Sequence, residues 1–312
     1  MAKTALLRRL SDVDFRLLRV FRAVVACGGV SAAEIELNIG RSTISRHLTD
    51  LEVRLGCKLC HRGPAGFSLT DEGERIHVAA LQLFSAIHEF QAEVDETNKY
   101  LTGNLSIAFF DKSMTNRDAK VPQAIHLFQQ TASKVDIEVH VDAINNIETG
   151  VLNGQYQVGI VPMHKRSENL DYHPLYSEHM YLYCGKLHPL FNRSDGEITR
   201  GEMQEQRYAG FAFHSPNMMA SHDWKLQRRA IVNNEEALAT LVLSGCYVGF
   251  LPDHFTRHFT ETGEMRALMQ DTYSYRSDHA AIIRRLPKMP RRVERFLDCL
   301  QQVHGVKTQP GS

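Results

Sequence analysis

Apolar positions follow two regimes along the chain: up to about residue 100 they recur at helical spacing, and beyond it short unbroken apolar runs take over. Between Val13 and Val25 they stand at 13, 17, 18, 20, 21, 24 and 25, close to the i, i+3, i+4, i+7 pattern of an amphipathic helix. The opposite face carries Arg16, Arg19 and Arg22. Cys27-Gly28-Gly29 ends this helix, glycine being the usual residue past a helix C-terminus. Ser31-Ala-Ala-Glu34 matches a capping box, in which hydroxyl and carboxylate satisfy orphan amides reciprocally, and predicts a short helix ending at Gly40. A third helix follows, with Ser42 as its predicted cap. Ile44, Leu48, Leu51 and Leu55 fall on one face of it, leaving Arg41, Ser42, Thr43, Ser45, Arg46, His47 and Thr49 on or near the other. From Asp71 to Tyr100 there is no proline and one glycine, and Ile76, Ala80, Leu83, Ile87, Phe90 and Val94 form a stripe close to a heptad seam. Such a stripe is expected to be buried against a partner, most simply a second copy of the chain.

After Gly103 the period changes. LSIAFF (105–110), DIEVHV (136–141), QVGIVP (157–162), MYLYC (180–184) and YVGFLP (247–252) are β-rich runs, separated by helical patterns such as Lys120 to Thr131 and Glu235 to Ser244. Alternating strands and helices predict an α/β region with open, largely parallel sheets. Four strand-to-helix turns carry N-cap residues: Thr115-x-x-Asp118, Asn145-Asn146-Ile-Glu148, Ser215-Pro216 and Asn233-Asn234-Glu-Glu236. Turns of this kind sit at the carboxyl ends of strands, where ligands bind and helix N-termini present free amides. They are expected to face one cleft and to hold a small anion such as a carboxylate. Lys112 would supply a counter-charge and Asp111 a partner for an amine or hydroxyl. The expected effector-binding residues are Asp111, Lys112, Ser113, Met114, Thr115, Asn145, Asn146, Pro162, His214, Ser215, Asn233 and Asn234.

Charge sharpens the division. The net charge is zero over 312 residues, yet residues 1–70 carry 11 Lys+Arg against 6 Asp+Glu, leaving 25 against 30 for the rest. A basic head on an acidic body points to nucleic acid. Two short helices joined by a tight turn, the second starting with hydroxyl and basic side chains, form a helix-turn-helix. Its short polar side chains allow close approach to the major groove, and Arg41 and Arg46 can reach guanine edges or phosphates. The N-terminus, MAKTALLRRLSDVDFRLL, lacks the apolar core of a secretory signal, and no run approaches the roughly 18 apolar residues of a membrane span. A cytoplasmic chain with reduced cysteines and no membrane partner is therefore expected.

Cys57-Lys-Leu-Cys60-His61 opens an alternative class. The spacing is that of haem c attachment, of half a zinc site with His47 as a further ligand, or of a redox pair. On a strand, however, side chains alternate and each residue advances about 3.3 Å, which sets the two thiols on opposite faces about 10 Å apart. That exceeds the roughly 7 Å limit for a disulfide. Cys184 and Cys246, which raise a redox-responsive function, lie in apolar strand-like or helix-end contexts. No cofactor or metal is therefore expected. G-x-S-x-G, the Walker loop, G-x-G-x-x-G and H-E-x-x-H are missing from the chain, so an enzyme is not expected either.

The run from Phe21 to Glu74, with Leu51-Glu52-Val-Arg-Leu55-Gly56 and Leu69-Thr70-Asp-Glu-Gly73 as its closing motifs, resembles the winged helix-turn-helix of LysR-type transcriptional regulators. Two positions depart from the family pattern. Gly40-Arg41-Ser42-Thr43-Ile44-Ser45 stands where the family commonly has Ser-Gln-Pro-Ala-Leu-Ser, and Cys60 stands where it commonly has phenylalanine. The resemblance implies an α/β chain with an N-terminal all-α winged helix-turn-helix over 1–70 and a dimerising linker helix and hinge over 71–103. A two-lobed, periplasmic-binding-protein-like effector domain would follow over 104–312, with lobe I at about 104–176 and 248–312 and lobe II at about 177–247. It implies DNA contacts from Ser31, Arg41, Ser42, Thr43, Ser45, Arg46, His47, Thr49 and the wing arginine Arg62. It also implies promoter DNA, a small-molecule effector, dimers assembling to a tetramer, and RNA polymerase as partners.

Overall fold

The structure, a computed structural model, describes residues 10–63, 66–97 and 101–305. Pro64 and Ala65 of the expected wing turn, and the last three residues of the helix expected to reach Tyr100, lie outside the described residues. Two compact units emerge, residues 1–89 and 90–312.

In the first unit α1 (Asp12–Ala26), α2 (Val30–Leu37) and α3 (Arg41–Leu55) precede an antiparallel hairpin, β1 (Cys60–Gly63) with β2 (Gly66–Leu69), and α4 (Asp71–Thr97) follows. Ser11 opens α1, its amide and hydroxyl donating to the Asp14 carboxylate at 2.8 and 2.6 Å. The Arg54 guanidinium also grips Asp14, which is fully buried, and holds that carboxyl at about 2. The capping box expected at Ser31 does not form. Gly28 and Gly29 turn the chain at φ +71° and +153°, so α2 starts at Val30 with Gly29 as its cap, and Ser31 falls inside the first turn. Glu34 instead accepts the Arg41 amide at 2.6 Å, tying α2 to the start of α3. Gly40, not Ser42, caps α3. Leu17, Phe21, Val24, Ile44, Leu48 and Leu51 make the core, closed by Leu59, Cys60, Ala80 and Phe84.

The apolar stripe of α4 divides. Ile76, Leu83 and Ile87 pack with Ala80 on the core of their own unit, whereas Phe90 and Val94 are 69% and 48% exposed. The C-terminal part of the stripe is the more exposed to a partner, while Ile76, Leu83 and Ile87 are half-buried.

The second unit holds a mixed sheet in the order β4-β3-β5-β11-β6-β9-β7-β8, with β10 beside β6. The strands are β3 (Gly103–Phe109), β4 (Val135–Val141), β5 (Val158–Pro162), β6 (Leu170–Gly185), β7 (Arg207–Phe211), β8 (Gln227–Val232), β9 (Val248–Pro252), β10 (Met265–Ala267) and β11 (Ser274–Arg284). The helices are α5 (Val121–Thr131), α6 (Ile144–Leu152), α7 (Arg200–Glu205), α8 (Pro216–Asp223), α9 (Glu235–Leu243), α10 (Asp253–Glu261) and α11 (Arg291–His304). β3 is parallel to β4 and β5, and β7 to β8 and β9. The expected largely parallel sheet is thus two parallel halves, because the long strands β6 and β11 cross between them antiparallel to each other and to their neighbours. The return to the first half comes at β11 rather than at about residue 248. β9 pairs with β6 and β7, and its Val248 and Phe250 are buried with Tyr208 and Tyr273 of the second half. The first half has its own core around Leu105, Ile107, Phe128 and Phe296.

Candidate nucleic-acid interface and effector cleft

The buried face of α3 is Ile44, Leu48 and Leu51, which turns Arg41, Ser42, Arg46 and Thr49 fully outward and leaves Thr43, Ser45 and His47 partly exposed. Ser31 is exposed on α2. This surface presents short hydroxyls and two guanidinium groups, a set that allows a helix to approach base edges closely. Beside it a cavity of about 310 Å³ is lined by Gly28, Gly29, Ser31, Arg41, Arg62 and Phe67, with no acidic side chain in its wall. It lies at the start of α2, where backbone amides and the helix dipole favour an anion.

Arg62, expected to meet a phosphate, also has partners inside its own unit. Its guanidinium donates to the Ser45 carbonyl at 3.1 Å and pairs with Glu52 at 2.5 Å, fastening the hairpin to α3. Glu52 also accepts the Leu59 and Cys60 amides at 3.0 and 3.4 Å. Thr70 donates its hydroxyl to the Lys58 carbonyl at 2.6 Å and accepts the Gly73 amide at 3.0 Å, which caps α4. Within the CKLCH stretch only Cys60 and His61 lie on β1; Cys57 precedes it. Cys60 is wholly buried in the core, so neither a haem vinyl nor a zinc ion reaches its sulfur without unpacking. Among the described residues no group of three or more His, Cys, Asp or Glu is placed to hold a metal. Burial pushes the Cys57, Cys60 and Cys299 thiols up, and Cys184 to about 11, which keeps them protonated and poorly nucleophilic.

In the second unit a cavity of about 520 Å³ opens where the carboxyl ends of the two parallel halves face each other. Of the expected effector residues it gathers Asp111, Asn145, Asn146, Asn233 and Asn234. Asp142, Phe110 and Phe213 join them without having been expected. Asp142 directly follows the DIEVHV run, so its place at a strand's carboxyl end was the available signal. Asn234 caps α9 by accepting the Ala237 amide at 2.8 Å, while Asn145 and Asn146 lie inside the first turn of α6, whose cap is Ala143.

The other expected residues serve elsewhere. Lys112 pairs with Glu236 and rests 4.9 Å over the Phe255 ring. Buried Ser113 donates to the Phe110 carbonyl at 2.7 Å, and Met114 is exposed outside the cavity lining. Thr115 lies in a short 3-10 turn, hydrogen-bonded to His254 at 2.7 Å, and caps nothing; α5 begins only after Lys120. Pro162 closes β5, His214 stacks on His164 with centroids 5.5 Å apart, and buried Ser215 caps α8.

Two carboxylates organise the cavity. Asp142 accepts the Ala143 amide and the Asn146 side chain at 2.7 and 2.8 Å, and the Tyr156 hydroxyl at 3.3 Å. Asp111, which follows β3, accepts the Glu235 amide at 3.1 Å and so straps the first half to the start of α9. Burial pushes the Asp111 carboxyl up, against the pull of the α9 amides and Lys112. Where β6 and β11 cross, the buried Glu178 carboxylate meets His254 at 2.8 Å and His279 at 3.5 Å. Burial alone would raise Glu178, but the two imidazoles hold it below its ordinary value.

Residues 15–74 match the LysR-family bacterial regulatory helix-turn-helix protein, and residues 99–305 match the LysR substrate binding domain. The chain belongs to the LysR family of transcriptional regulators. LysR regulators bind promoter DNA and oligomerise; they are not enzymes. This LysR chain is 37% identical over 295 residues to the transcriptional activator BauR of Pseudomonas aeruginosa, covering 94% of this chain and 96% of that one. It is 24% identical over 241 residues to the probable regulator LrrA of Synechococcus elongatus, covering 75% and 79%. Full-length CbnR, a LysR regulator, shares its fold with a TM-score of 0.60 at 18% identity, over 93% of this chain and 99% of that one. CbnR bound to its target DNA matches with a TM-score of 0.59 at 17% identity, over 92% and 99%.

Proposed function

We propose that this regulator reads a promoter with the outward face of α3 and adjusts its hold on that promoter when a small molecule enters the cavity between the two halves of the second unit. Ser42, Thr43, Arg46, His47 and Thr49 face the major groove. Ser31 and Arg41 take a phosphate at the start of α2, and Arg62 holds the hairpin beside them. Residues 1–70 form the DNA reader, 71–103 pair chains, and the remainder senses the effector. Exposed Phe90 and Val94 extend the pairing seam that places two recognition helices on a twofold site. Assembly to a tetramer and contact with RNA polymerase complete the partner set.

The observation that carries the sensor reading is the strap from Asp111, in the cavity lining, to the Glu235 amide in the other half. A ligand seated there touches both halves and can change their closure, which repositions the paired readers and the bend they impose on DNA. The reader is tested by Arg46→Ala. Fluorescence anisotropy on promoter DNA should show at least about tenfold weaker binding and a shallower salt dependence, with unchanged thermal unfolding. Full retained affinity would remove α3 from the interface.

A further inference from the structure

We propose that the cavity takes a small organic ammonium, a primary amine or a molecule carrying one, in preference to a free carboxylate. This rests on the cavity being the effector site. Its lining includes two carboxylates, four asparagines and two phenylalanines, and no lysine, arginine or histidine.

Each helix start that makes an anion attractive in the sequence already has a carboxylate beside it. The Glu235 amide at the start of α9 donates to Asp111, and the Ala143 amide at the start of α6 donates to Asp142. Two carboxylates bring two negative charges, and two helix N-termini return about half a positive charge each, leaving roughly one net negative charge. Lys112 does not alter the sum, because Glu236 neutralises it. Burial pushes the Asp111 carboxyl up by penalising its charged form, and a bound ammonium would favour that form.

Shape agrees with charge. An ammonium offers three donors and no acceptor. Asp111 and Asp142 are acceptors around one space, and the asparagines beside them carry side-chain carbonyls that can accept as well. Phe110 and Phe213, edge to face at 6.0 Å, give an apolar and cation-attracting wall for the carbon chain. A volume of about 520 Å³ falls in the range of small-ligand pockets.

The test uses the full chain and four-carbon probes at matched ionic strength: butylamine, 1,4-diaminobutane, butanoate and butanedioate. Unfolding of the second unit is followed by Trp224, the sole tryptophan. The amines should raise the transition and the carboxylates should not. Asn145→Lys, at an exposed first-turn position where folding is spared, should weaken the amines at least about tenfold and admit butanedioate. Stabilisation by the carboxylates alone, lost in a cavity-blocking Asn233→Tyr variant, overturns the ammonium proposal and leaves the cavity as sensor. No stabilisation by any amine of two to six carbons also overturns it. Stabilisation by amines that neither Asn145→Lys nor Asn233→Tyr changes puts binding elsewhere and overturns both readings.

Discussion

Glu52 is the residue through which the recognition helix holds the wing, and Glu52→Ala should loosen the hairpin without unfolding the helices. The carboxylate accepts from the Leu59 amide, the Cys60 amide and Arg62, and is 14% exposed itself. Hydrogen bonds to a charged group are worth about 1.5–3 kcal/mol each. The Cys60 contact at 3.4 Å is long, and Arg62 keeps 22% exposure, so water recovers part of the loss. Counting one full amide bond and a discounted ion pair gives about 3 kcal/mol, or roughly a 150-fold rise in local opening. Amide hydrogen exchange by mass spectrometry on the full chain reads this directly in peptides spanning residues 58–63. Glu52→Gln, which keeps the acceptor oxygen but not the charge, should show about half the effect in free energy. In a double-mutant cycle with Arg62→Met the pair should couple by about 1–2 kcal/mol. Exchange within threefold of wild type in Glu52→Ala, or strict additivity in the cycle, would refute the clamp.

Gly73→Ala should destabilise the first unit by about 3 kcal/mol or more, seen as a lowered first transition in calorimetry, because the added Cβ would lie 1.9 Å from the Leu59 carbonyl oxygen. Acidification should weaken the second unit, measured by Trp224 fluorescence during denaturant unfolding. Burial depresses His164, His173, His188 and His279, so their contribution is fully present above the unfolded value of 6.5 and is lost as pH falls through the lower folded values. Glu178, also depressed, adds a loss at lower pH, below its ordinary 4.5. His279→Gln should flatten the slope between pH 6.5 and 5, and an unchanged slope would exclude His279 as a contributor.

Sequence legibility followed the range of the forces involved. The helices of the first unit were readable because apolar periodicity and glycine stops are local, and the structure returns Ile44, Leu48 and Leu51 on the buried face of α3. The closing motifs were recognisable as patterns, but their reasons were not local. Glu52 holds amides eight residues away on the hairpin, and Gly73 is needed because a carbonyl fourteen residues earlier passes over it. The misplaced caps at Ser31 and Ser42 share one cause: a glycine two residues before each took the cap position, which a hydroxyl would otherwise fill. A continuous partner seam on α4 failed because a stripe does not say which surface covers it, and its first turns found their own core.

The effector region was legible as alternating strands and helices, but not as two halves, since β6 and β11 reveal their antiparallel crossing only through long-range pairing. That pairing also decided the cavity's chemistry. From sequence, Asp111 and the amide of Glu235 stand 124 positions apart, so the helix start looked empty and the neighbouring Lys112 looked free. Folding brings an aspartate to the first and a glutamate to the second, and the ammonium proposal rests on these two contacts. Asp142 adds a negative charge that carries no cap signature in the sequence, because it precedes the α6 cap Ala143 by one residue. On the ammonium proposal the sign of the cleft is set by which internal groups reach its helix termini first, and here carboxylates reach both.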